Sequence, residues 1–241
     1  QEIIKKSIQF LEPLRKILEE KQDVSFGLSG IAAQDIPDHI HKMVWRANTD
    51  VLVMPVEHFS ALKRGFHRLE LQRVLREVKC DLVVVKIGAD DSLPKKILIP
   101  FASNPHNFLV KEIVAGLMEY LEVSPTFLLV ENGTSEEKKL KRLGKELASL
   151  GFTPEIKRVS TSGDLASCVA EVAKDYDMIL MAASHGGSLN EITLGKTAEA
   201  VLGKTNKTTV VVHHHQEIID PILVPFFALY TRGKKYFLKG A

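Results

Sequence analysis

The chain has 241 residues, 45% hydrophobic and 26% charged, with a net charge of +2. That length suits one large domain or two small ones with a sizeable core. The near-neutral balance gives no electrostatic case for nucleic acid, and no run of eighteen apolar residues is present to span a membrane.

In chain order, residues 1–20 form a charged segment resembling the helix expected at 135–151, and their lack of a continuous apolar core excludes a signal peptide. "IPDHIHKMVWRAN" (36–48) predicts a helix burying Ile40, Val44 and Ala47. "DVLVMP" (50–55) is a strand, "QRVLREVK" (72–79) a helix and "LVVVK" (82–86) a strand. Next come the strand "KKILIPF" (95–101), the helix at 107–122, the strand "TFLLVE" (126–131) and a helix at 135–151. Glu136 and Glu137 near the start of that helix and Gly151 at its end suit the helix dipole and a C-cap. "EIKRVS" (155–160) is a strand, and "GDLASCVAEVAKD" (163–175) a helix burying Leu165, Val169 and Val172. "DMILMA" (177–182) and "TVVVH" (209–213) are strands flanking a glycine-bearing loop and a helix. The short continuous apolar runs predict strands buried on both faces, and their alternation with helices predicts a parallel sheet.

A repeat underlies this order. "DVLVMP" matches "DMILMA" and "LVVVK" matches "TVVVH", both at an offset of 127 (177 − 50 and 209 − 82). The helices at 72–79 and 36–48 overlay 199–206 and 163–175 at the same offset. "PILVPF" (221–226) repeats "KILIPF" (96–101) at an offset of 125. The first half thus lacks an opening strand, helix and strand. The 221–226 strand either completes its sheet, in cis or swapped from another copy, or is a tail strand or a truncated further repeat. The first residue is Gln, which fits an excerpt of a longer chain. Cys80 and Cys168 lie far apart in apolar contexts and read as buried free thiols in a reducing compartment.

Taken together, "KKILIPFASNPHNFLVKEIVAGLMEYL", "AEVAKDYDMILMAASHGG" and "LGKTAEAVLGKTNKTTVVVH" resemble a universal stress protein domain over 95–213, and more faintly over 1–88. The resemblance implies an α/β fold: two tandem doubly wound parallel-sheet domains, the first incomplete at its N-terminus. The expected bounds are 1–92, 93–215 and a C-terminal tail of 216–241. Many members bind ATP. They carry an aspartate after the first strand and a G-x2-G-x9-G-[S/T] series after the fourth. Here the aspartate position is Ala102, the first two glycine positions are Ala182 and His185, and Lys196 takes the Ser/Thr position beside Thr197. The first half has Pro55, His58, Arg68 and Leu69 in those places, with no glycine left.

The candidate site is therefore a degenerate nucleotide site of Ser184, His185, Gly186, Gly187, Gly195, Lys196, Thr197 and Ser103, the alternative being a plain turn and a helix start. Glycines there admit close backbone approach, the helix start attracts phosphate, Lys196 adds charge and Thr197 a hydroxyl. ATP or AMP is the ligand the resemblance implies, with no tightly held cofactor expected. Neither catalytic nor metal-ligating residues are assigned. His58 and His185 share a repeat position but lack partners at metal spacing, and His213–His215 read as a solvated strand end.

The expected function is non-catalytic: a regulatory or assembly module resembling the cytosolic part of a membrane transporter. Cation–chloride cotransporters, amino-acid permeases and cation–proton antiporters are the types implied. A free-standing tandem stress protein binding ATP or AMP is the alternative, and an adenine-nucleotide hydrolase-like enzyme a third. The expected partners are a second copy or the other half of the chain, pairing through "LVVVK" and "TVVVH", and an attached membrane domain. The expected place is the cytoplasm or the cytosolic face of a membrane protein.

Overall fold

The computed structural model describes residues 35–55, 66–89, 93–101, 107–131, 155–161, 163–183 and 194–215. The helices expected at 1–20 and 135–151 and the strand expected at 221–226 lie outside these residues. The described elements are α1 (Ile36–Ala47), β1 (Val51–Pro55), α2 (Phe66–Glu77), β2 (Asp81–Lys86), β3 (Lys96–Pro100), α3 (Asn107–Tyr120), β4 (Ser124–Glu131), β5 (Glu155–Ser160), α4 (Leu165–Val172), β6 (Met178–Ala182), α5 (Lys196–Lys204) and β7 (Thr208–His213).

All seven strands join one sheet in the order β1-β2-β7-β6-β3-β4-β5. Every neighbouring pair is parallel except β2 with β7, which is antiparallel. In that pair Val84 lies opposite Val211. From β3 the chain steps outward through β4 to β5, then returns to the other side of β3 with β6 and β7. The strand order therefore reverses between β3 and β6.

Both faces of the central strands are covered, as their continuous apolar runs require. One face sets Leu82, Val84, Leu98, Leu128 and Ile179 against Ala166 and Val169 of α4 and Val201 and Leu202 of α5. The other sets Ile97, Ile99, Phe127, Leu180 and Val212 against Leu109, Val110 and Val114 of α3. Each fully buried Leu or Ile contributes about 1.5–3 kcal/mol relative to an exposed one.

The N-terminal strand departs from this pattern. β1 was expected to be buried on both faces, but only Leu52 and Met54 pack inward, against Val44, Val74 and Val78 of the helices α1 and α2. Val51 and Val53 are exposed, Val53 to 59%, and Ile87 just beyond β2 is 62% exposed. The physical reason lies in the helices, since α1 and α2 both pack on the Leu52 side. Ala47, expected in the core, is also exposed, because α1 ends there and turns away at Asn48 in the left-handed region (φ 49°). Asp35 caps the other end of α1, accepting from the Asp38 amide at 3.1 Å and pairing with Arg73 of α2 at 2.9 Å. Cys80 is buried and Cys168 half-buried, and both are free thiols.

The β2–β7 seam continues past the strands through Gly88. Its amide donates to Thr208 Oγ1 at 3.0 Å, and the Ala89 amide to the Asn206 carbonyl at 3.2 Å. A Cβ at Gly88 would sit 2.6 Å from the Thr208 nitrogen and 2.8 Å from the Asn206 oxygen. Those are backbone atoms, which cannot swing aside as a side chain does. Gly88→Ala is expected to destabilise the fold by about 1–3 kcal/mol, read from the urea midpoint.

Candidate functional site

The carboxyl ends of β3 and β6 meet where the strand order reverses, the usual place for a ligand on an open α/β sheet. Two backbone bonds carry the ladders one residue past the strands. The Phe101 amide donates to the Leu128 carbonyl at 2.9 Å, and the Ala183 amide to the Val212 carbonyl at 2.7 Å. Of the sequence-predicted site, Gly195, Lys196 and Thr197 are described, while Ser103 and Ser184–Gly187 lie outside the described residues, as does Ala102.

Gly195 is the N-cap of α5, with φ 92° and ψ 148°. That backbone conformation is open almost only to glycine. Gly195 has no side chain to accept from the first amides of the helix. Its carbonyl accepts from the Glu199 amide at 3.0 Å, closing the first turn. Lys196 is exposed, Thr197 half-buried, and Leu194 and Ala198 are fully buried on either side. An anion seat would need these groups: helix amides, a positive charge and a hydroxyl, here between two buried apolar anchors. Glu199, in the same first turn, opposes an anion.

The far end of α5 is held by residues that sequence reading missed. Lys86, at the end of β2, donates Nζ to the Leu202 carbonyl at 2.7 Å and also to the Thr205 carbonyl. A cation there suits the negative end of the helix. Burial pushes the Lys86 ammonium below its ordinary range. In "LVVVK" a terminal lysine reads as a solvated strand end, so no local signal marks this role. Asp164 caps α4, accepting from the Ala166 and Ser167 amides at 3.3 and 3.1 Å, and it also pairs with Lys204 of α5. The Lys204 ammonium, then the Ser167 hydroxyl, hold its carboxyl down to about 2. A sequence signal did exist here, because an aspartate just before an apolar-periodic run marks a helix start.

Asp177 does a similar task at the amino ends of the central strands. Its Oδ2 accepts from the Lys95 and Lys96 amides at 2.9 and 2.8 Å, and its amide donates to the Lys96 carbonyl at 3.0 Å. These bonds tie the starts of β3 and β6 and keep the Asp177 carboxyl below the usual range. His214, expected to be solvated, places Nδ1 2.8 Å from Asp81 Oδ1, which also accepts from the His215 amide at 2.8 Å. Among the described residues no group of three His, Cys, Asp or Glu is placed to hold a metal, and no helix is long and apolar enough to cross a membrane.

The strand order that reverses between β3 and β6 defines an open, doubly wound α/β sheet. The model of the Universal stress protein family matches residues 117–213, less than half of the chain. A universal stress protein from Archaeoglobus fulgidus DSM 4304 superposes over 89% of this chain and 78% of its own, with TM-score 0.62 and 16% identity. A functionally unknown protein from Pseudomonas aeruginosa PAO1 does so over 85% and 76%, with TM-score 0.58 and 14% identity. The structure of the universal stress protein from Archaeoglobus fulgidus in complex with dAMP matches 49% of this chain and 98% of its own, at TM-score 0.40 and 15% identity. No curated protein matches the chain.

Three outcomes are expected here. Gly195→Ala forces a side chain into a glycine conformation and should cost about 1–3 kcal/mol by urea denaturation. Lys86→Met removes the donor from two helix-end carbonyls and should cost about 1–3 kcal/mol by the same measurement. Asp164 and Asp177 have folded pKa values below their unfolded ones, so their stabilisation is whole above about pH 4 and is lost as the pH falls. For Asp164 the loss runs down to about 2. The Asp164→Asn, Asp177→Asn double variant should therefore show a shallower fall in urea midpoint over that acid range. The difference should shrink in high salt.

Proposed function

We propose that the chain is a non-catalytic regulatory module that binds the phosphates of an adenine nucleotide at the N-terminus of α5. The observation that carries this reading is Gly195 at φ 92°, opening α5 beside the carboxyl ends of β3 and β6. These residues fit a phosphate group: helix amides receive its oxygens, Lys196 offsets its charge and Thr197 offers a hydroxyl. When bound, ATP or AMP would supply a ligand signal and the chain would supply its recognition. The replacements Ala102, Ala182 and His185 support a site weaker than that of members keeping the full aspartate and glycine pattern.

The wider setting we infer is two stress-protein-like units back to back, the first shortened, attached to a membrane transporter on its cytosolic side. The antiparallel β2–β7 pairing supports the two-unit part, since Val84 meets the residue 127 positions later, the repeat offset. A membrane-spanning segment in the full gene product tests the attachment.

Calorimetric titration of the full chain with ATP, with and without magnesium, is the direct test. Saturable heat at submillimolar ATP is expected, and Lys196→Glu should weaken it about tenfold, or about 1.4 kcal/mol. Absence of heat up to millimolar ATP would overturn the nucleotide reading and leave a scaffold.

A further inference from the structure

We propose that residues 221–226, "PILVPF", add in cis as a parallel strand on the open edge of β1. β1 is the outermost strand of the described sheet, and its Val51 and Val53 are exposed. The other side of the seam indicates what is missing. In the β2–β7 ladder, partners sum to 295 (82 + 213, 84 + 211), and Val84 faces Val211, its own repeat equivalent. A local two-fold axis therefore passes between these two valines. It relates β2 to β7, and β1 to β6.

β6 has a further parallel neighbour, β3, beginning "KILIP". β1 has no such neighbour among the described residues. The stretch that repeats "KILIPF" is "PILVPF" at 221–226. Two-fold symmetry thus assigns this segment to the place beside β1.

The chain also leaves the sheet at the right end. β7 runs opposite to β2, so its close lies at the start of β2, where Leu82 faces His213 and Asp81 faces Val51. Asp81 anchors His214 and the His215 amide there, and its own amide donates to the Asp50 carbonyl at 3.0 Å. From β2 the vacant position is two strand spacings away, about 10 Å. The five residues 216–220 reach up to roughly 16 Å. The strand then runs parallel to β1 without crossing another connection.

The register follows from Ile97 facing Met178 and Leu98 facing Ile179. Adding 125 to the first members and subtracting 127 from the second puts Ile222 opposite Val51 and Leu223 opposite Leu52. Leu223 then points with Leu52 toward α1 and α2, while Val224 lies beside Val53 on the open face.

Paired cysteines in the full chain test this. Val53→Cys with Val224→Cys sets two thiols on neighbouring strands about 4.8 Å apart, within disulfide range. Mild oxidation should give an intrachain bond, seen as a monomer of altered mobility and a linked peptide in the digest. Val53→Cys with Leu223→Cys, whose side chains the pleat sends to opposite faces, should link at least about tenfold less. Hydrogen exchange gives a second reading without engineered bonds. β1 amides should exchange at least about tenfold faster in Leu223→Asp than in the unaltered chain. Disulfide-linked dimers would overturn the proposal, because the strand would then come from a second copy. Failure of the first pair to link, equal linkage in both pairs, or β1 exchange unchanged by Leu223→Asp would also overturn it.

Discussion

The β2–β7 ladder is the contact on which the rest of the molecule depends. Three valines of β2, Val83–Val85, and three of β7, Val210–Val212, face each other along it. They lie between helices on one face and α3 on the other, so the seam is core on both sides. Without it the sheet would divide into a two-stranded ribbon and a five-stranded sheet. A two-stranded ribbon alone buries too little to persist. Among the described residues, the N-terminal part joins its own small cluster around Val44, Val74 and Val78 to the larger core across this seam.

Polar contacts across the same seam convert adhesion into orientation. Hydrophobic burial is non-directional, and the valine ladder alone would tolerate small slips of α5 over the sheet. Lys86 removes that freedom by holding the helix-end carbonyls, and Asp164 holds Lys204 from the side. Core burial of Val201 and Leu202 then fixes the helix rotation. The N-terminus of α5 at Gly195 therefore belongs to a helix secured from its opposite end.

The strands were legible in the sequence because doubly covered strands write continuous apolar runs. "MILMA" and "VVV" permit little else at that length. β1 misled for the same reason: "VLVMP" is as apolar as its neighbours, yet one of its faces has no described cover. Composition records what a residue tolerates and not what lies over it. α2 was legible only in its second half, since "FHRLE" carries charges that hide the periodicity. At the site, Gly195 was legible through the glycine spacing of the family resemblance. Lys86 and Asp81 were not, because their partners lie more than a hundred residues away, at Leu202 and His214. Sequence periodicity carries no information at that range.

Gly88 has a consequence for how related chains can be recognised. The backbone of the segment before β7 occupies the space of its missing side chain. A chain that keeps this junction must keep a glycine two residues after the β2 lysine, whatever becomes of its ligand. A glycine–less homologue at that position would have to splay the two strand ends apart. The "VVVKIG" hexad thus carries the joint between the two parts: valines for the ladder, the lysine for the α5 carbonyls and the glycine for the close backbone approach.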